Sequence, residues 1–113
     1  MAFKLVIDNK INTRIKGFYK DAAGVSRAFN FELVQERVDQ EELQKTIDDK
    51  NEKASDFIRR TTSGWKNQRL VLNEDDQPAE FSPEALDALL NVAGMGGFCF
   101  QAYLAQVLVS EKN

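Results

Sequence analysis

Apolar and polar side chains alternate at the start of the chain. Phe3, Leu5 and Ile7 fall on one side of an extended segment and Lys4, Val6 and Asp8 on the other, which predicts a short strand over residues 3–7. Asp8-Asn9-Lys10 carries turn chemistry. A second extended run covers Ile11 to Lys20, with Ile11, Thr13, Ile15 and Tyr19 at even spacing. Asp21-Ala22-Ala23-Gly24 reads as a hairpin loop in which Gly24 supplies a positive φ. The third run, Val25 to Arg37, sets Phe29, Phe31 and Leu33 against Ala28, Asn30 and Glu32. Residues 3–37 thus predict a β-meander of three antiparallel strands with one wet face.

The period then becomes helical. Asp39 is an N-cap with Glu42 three residues on as its capping-box partner. Leu43 and Ile47 mark a thin apolar stripe, and Ala54, Phe57, Ile58 and Thr61 continue at helical spacing, so the pattern allows either one helix unbroken to Arg60 or helix on both sides of any break near Asn51. Gly64 is read as the helix stop. Trp65 to Leu72 is compatible with extended chain, and Asn73 to Pro78 is a polar turn. Ser82 caps a further helix, with Pro83 at its first position and Leu86, Leu89, Leu90 and Ala93 on its apolar face. Gly94-Met95-Gly96-Gly97 interrupts that helix, and a last one is expected from Phe98 to Ser110, before the polar Glu111-Lys112-Asn113. The fold class expected is α+β: an amino-terminal three-stranded antiparallel sheet followed by three or more helices, in a single domain over residues 1–113, with 38–113 mainly helical.

Charge changes the picture. The net charge is −3 with a pI near 5.0, where a nucleic-acid binder would show a basic face to phosphate. Phe29 and Phe31 could stack bases from a sheet, but no RNA-recognition signature surrounds them and core packing explains them. The charge is also blocky. Residues 57–72 carry four Lys/Arg and no acid, whereas residues 73–90 carry six Asp/Glu and no base. Such blocks are either solvated faces or surfaces that steer self-assembly and docking. No apolar run approaches a membrane span and no leader pattern opens the chain, so a cytoplasmic protein without membrane contact is expected.

The chemistry is sparse. With no histidine and one cysteine, the chain lacks the usual general base, Ser-His and Cys-His nucleophile pairs, and a structural zinc set. Cys99, among Phe98, Phe100 and Ala102, reads as a small buried hydrophobe. The acidic loop Asn73-Glu74-Asp75-Asp76 fails as a calcium loop because Pro78 stands where the turn needs Gly. Gly94-Met95-Gly96-Gly97 lacks the spacing and the Lys-Ser/Thr of a phosphate loop. Asp48-Asp49 lies in a run of exposed charge rather than forming an acid/base dyad. No catalytic residue, metal site or cofactor is expected.

From Phe57 onward the order of signals is distinctive. Phe57-Ile58-Arg59-Arg60 leads to Gly64-Trp65, and Leu70-Val71-Leu72 runs into the acidic turn Asn73-Glu74-Asp75-Asp76-Gln77-Pro78. Phe81-Ser82-Pro83-Glu84 then opens a helix bearing Leu86 and Leu89-Leu90, and a final helix carries Phe98, Ala102 and Tyr103. This series resembles the tail assembly chaperones of long-tailed bacteriophages. The sheet and the charged middle helix match in outline only, and Gln77 stands where many such turns carry Gly. The resemblance implies a non-enzymatic protein of the bacterial host cytoplasm. Its expected partner is the tape measure protein, with the tail tube (major tail) protein as a further candidate and a homo-oligomer as the working state. In that family a minority of ribosomes shift frame near the end of the short chaperone, and Glu111-Lys112-Asn113 is a candidate slippery site, since it can be encoded GAA-AAA-AAC. A structural tail component retained in the particle, such as a completion or connector protein, is the alternative. The last helix is apolar on nearly all sides, which makes it either central to a core or shared with a partner. Phe98, Phe100, Tyr103, Leu104, Val107 and Leu108 are its candidate protein-binding residues.

Overall fold

The computed structural model describes residues 2–109, and its first regular element begins only at Lys10. Strands β1 (Lys10–Lys20) and β2 (Ser26–Glu36) form an antiparallel hairpin, in register from Lys10 opposite Glu36 to Lys20 opposite Ser26. Its tip is closed by one side chain. Asp21 Oδ1 accepts the N–H groups of Ala23 and Val25, both at 2.9 Å, and Oδ2 accepts from Arg27 Nε at 2.9 Å. Gly24 takes a φ of 80°, the left-handed turn position its lack of Cβ allows. Ile11, Thr13 and Ile15 of β1 turn inward beside Phe31, Leu33 and Gln35 of β2, while Asn12, Arg14 and Lys16 face water.

Among the described residues the fold is α+β, with a three-stranded antiparallel sheet and four helices. The third strand is not residues 3–7, however, but β3 (Thr62–Lys66), which pairs with the far side of β2 so that Leu33 lies opposite Trp65. Residues 3–7 form no strand, and the sheet explains why. Lys10 already stands opposite Glu36, and the Arg37 N–H donates to the Asn9 carbonyl at 2.6 Å. Only Asp8 and Asn9 remain for a return, and a two-residue turn there would oppose Phe3, Leu5 and Ile7 to Arg14, Asn12 and Lys10. The apolar side would then lie on the wet face.

Helix α1 (Gln40–Asp48) begins as its sequence implies, with the Glu42 N–H donating to Asp39 Oδ1 at 2.8 Å. The break at residues 49–53 precedes α2 (Ala54–Thr61). Arg60 spans it: its guanidinium reaches Glu42 Oε2 at 2.5 Å, Thr46 Oγ1 at 2.9 Å and Glu52 Oε1 at 3.2 Å. Gly64 does not stop α2. The helix ends at Thr61 and passes directly into β3, where Gly64 lies opposite Val34. Ser82 Oγ accepts from Ala85 N–H at 3.0 Å to open α3 (Pro83–Leu90). Gly94, at φ 83°, makes the corner into α4 (Met95–Val107), so Gly96 and Gly97 belong to the first turn of the last helix rather than to the break before it. The expected helix end at Ser110 and the tail 111–113 lie outside the described residues.

One core joins these elements. Ile11, Ile15, Phe31 and Leu33 of the sheet meet Phe57 and Ile58 of α2, while α3 contributes Leu86, Leu89 and Leu90. α4 packs across β1 and against α2, inserting Met95, Cys99, Tyr103 and Val107 at four-residue spacing.

Candidate protein-binding surface

The six residues expected on one binding face of α4 are divided by the fold. Tyr103 is fully buried and Val107 only 8% exposed, so both are core. The Tyr103 hydroxyl donates to the Glu36 carbonyl at 2.8 Å and accepts the Val38 N–H at 3.0 Å, tying α4 to the end of β2; burial raises its pKa. Phe100 and Leu104 are half-buried, the Phe100 ring lying edge-on to Phe57 with centroids 5.2 Å apart. Phe98 and Leu108 remain exposed at opposite ends of the helix, about 15 Å apart by helical rise. A helix apolar on all sides does not announce which stripe the sheet will take. Here contact with β1 and α2 selects Met95, Cys99, Tyr103 and Val107.

Phe98 points instead to a different surface. Its ring lies over Gly17 of β1 and meets Phe29 edge-on at 5.8 Å. A Cβ at position 17 would stand 2.8 Å from Phe98 Cζ and 2.9 Å from Phe29 Cζ, so glycine lets both rings lie on the strand. Beyond these rings the hairpin end, the loop after β3 and the α3–α4 corner enclose a groove of about 460 Å³. Tyr19, Phe29, Leu70, Leu72, Val92 and Met95 line it, and among the described residues Lys20 and Arg69 are its only charged lining residues. Neither cation has an ion-pair partner among the described residues. Tyr19, Leu72 and Val92 are each about half exposed, so with Phe98 they form an apolar patch with a cationic border.

A buried amide shapes one wall. Gln68 is 2% exposed, and its Oε1 accepts from the N–H groups of Leu70 and Val71 at 3.1 and 2.8 Å. Its Nε2 donates to the carbonyls of Val71 and Ala79 at 2.9 and 3.0 Å, and Trp65 Nε1 donates to Ala79 as well, at 3.1 Å. Four bonds to one side chain hold the loop from residue 68 to 79 as a closed flap, so that Leu70 and Leu72 face the groove rather than collapsing. The acidic turn closes its tip, where the Asn73 N–H donates to Gln77 and the Asp76 N–H to Asn73. Gln68 carries no sequence signal, and neither Arg69 nor Val92 stands out by spacing.

Among the described residues no group of three or more His, Cys, Asp or Glu is placed to hold a metal ion. Burial pushes the Cys99 thiol up to about 12, which keeps it protonated as packing. Among the described residues no single helix is long and apolar enough to cross a membrane. Comparison with protein families, with curated proteins and with solved structures finds no match, so the functional reading rests on the chain's own residues.

Proposed function

We propose that this chain is a non-enzymatic tail assembly chaperone of a long-tailed phage, which binds the tape measure protein during tail assembly. The carrying observation is the groove, in which apolar side chains stay open to water on walls held in place by Gln68 and Gly17. Surface of this kind receives apolar segments of another protein. Lys20 and Arg69 favour a client segment that carries carboxylates beside its apolar side chains. Exposed Leu108 adds a second, smaller apolar contact near Val38. The tail tube protein is the further candidate client.

The test is co-expression with the tape measure protein whose gene this reading expects beside this one. The native chain is expected to hold that protein in the soluble fraction, and Leu72→Asp or Val92→Asp to release it into the pellet while folding normally. A tape measure protein equally insoluble with and without the chain overturns the reading. So does recovery of the chain in finished particles at the stoichiometry of a structural component.

A further inference from the structure

Residues 2–9 place a row of large apolar side chains in water. Phe3, Leu5 and Val6 are 89, 79 and 95% exposed, and Ile7 is half exposed. They lead into β1, a strand of 11 residues that among the described residues is paired on one side only. Because the Arg37 N–H donates to the Asn9 carbonyl, the odd-numbered residues of this strand turn their backbone groups to β2. The even-numbered ones, Lys10 to Lys20, turn theirs to the open edge. Such an edge is a template for another strand.

We propose that the chain forms a two-fold homodimer in which residues 3–9 straighten as a continuation of β1. The lengthened strands of two copies pair antiparallel about Ile11, making one six-stranded sheet. The segment cannot serve its own edge, since the turn available at Asp8-Asn9 places its apolar side on the wet face. Continued in line with β1, the same residues keep the strand's alternation, so Phe3, Leu5 and Ile7 share a face with Ile11 and Ile15.

Charge fixes the register and identifies the occupant as a second copy. With the axis at Ile11, Asp8 lies opposite the second copy's Arg14 and Lys4 opposite its Phe18. An axis at Asn9 opposes Lys4 to Arg14. One at Lys10 sets Lys10 on Lys10 and Lys4 on Lys16, and one at Asn12 sets Lys10 on Arg14. Like charges directly opposite destabilise a ladder, so Ile11 is the axis this chain's own charges accept.

Two further features fit that register alone. Among the described residues the buried Thr13 Oγ1 has no hydrogen-bond partner, and this pairing brings the second copy's Asn9 carboxamide opposite it. Leu5 falls opposite Gly17 of the second copy, where the exposed Phe98 ring overlies the strand, and Phe3 falls opposite Tyr19. The contact is isologous and closes on itself. It stands on the sheet edge, borders the groove at Tyr19 and Phe98, and forms without any client.

Sedimentation equilibrium of the full chain at micromolar concentration tests this. The expected mass is twice the 12.8 kDa of one copy. Leu5→Lys and Phe3→Lys, both at exposed positions, are expected to give monomers with an unchanged circular dichroism spectrum. Asp8→Arg and Arg14→Asp are each expected to weaken the dimer about tenfold, and the double variant to restore it. A monomeric native chain, or a dimer that survives Leu5→Lys and Phe3→Lys, overturns the proposal. Failure of the double variant to recover overturns the pairing about Ile11.

Discussion

Gly96 and Gly97 are neighbours in the first turn of α4, yet alanine should act on them with opposite sign. A Cβ at Gly96 would stand 2.9 Å from the Cβ of Ser55 and 3.2 Å from its Cα and N. Those last two atoms are backbone of α2, so nothing can swing aside and α4 must lift away. Overpacking of this kind costs about 1–3 kcal/mol, against which alanine recovers about 0.5–1 kcal/mol of the entropy glycine loses on folding. The net expectation for Gly96→Ala is a loss of about 1–2 kcal/mol. A Cβ at Gly97 would meet no heavy atom of the described residues within 4 Å outside its own turn of helix, so Gly97→Ala keeps only the gain, about 0.5–1 kcal/mol. Urea denaturation followed by circular dichroism measures both. The midpoints should move in opposite directions at unchanged slope, and melting temperatures should separate by about 4 °C per kcal/mol. If Gly96→Ala is as stable as Gly97→Ala, the close approach of α4 to α2 is not what holds a glycine at position 96.

Tyr103→Phe removes the hydroxyl that bonds the Glu36 carbonyl and the Val38 N–H, and should cost about 1–3 kcal/mol in the same denaturation; no loss would mean that water replaces it. The Asp21 carboxyl is held below its ordinary 3.8, first by the Val25 N–H and then by Arg27 and Ala23. Its contribution to the hairpin tip is therefore full above 3.8 and fades as pH falls through the lowered folded value. Protection of the Val25 amide, taken relative to the intrinsic exchange rate at each pH, should fall across that acid range, and Asp21→Asn should flatten it; an Asp21→Asn variant with the native protection profile refutes the assignment. Cys99, its thiol pushed up to about 12, should resist an aromatic disulfide reagent at pH near 8 in the folded chain and react at once in urea. Equal rates in the two states would mean that the α4–β1 packing opens readily.

Much of this architecture is legible in the sequence because local chemistry decides it. Asp39 and Ser82 supply the only short polar side chains positioned to cap their helices, and both do. Asp21 and Gly24 make a turn whatever surrounds them. What local chemistry does not decide is who pairs with whom. Phe3 to Ile7 has the alternation of a strand, but the register of Lys10 against Glu36 leaves it no face to bury. Thr62 to Lys66 has little strand character, and its place comes from the free side of β2. α4 is the same problem in a helix: apolar on every side, it leaves the choice of buried stripe to its neighbours, so Tyr103 and Val107 pass from expected interface to core. The groove was beyond reach for a further reason, because its walls come from three separate stretches and its flap depends on the buried amide of Gln68.

The uninterrupted passage from Thr61 to Thr62 has a consequence for the order of folding. The β1–β2 hairpin and the α3–α4 corner each close over short stretches of chain, at small entropic cost. β3 reaches β2 only across the whole of α1 and α2, and because no linker separates it from α2, docking the helix and completing the sheet are one event. Until that event the second edge of β2 is bare. The nascent chain is therefore most exposed to wrong pairing in the interval between synthesis of Glu36 and of Lys66, and substitutions in α2 should slow closure of a sheet to which that helix contributes no strand.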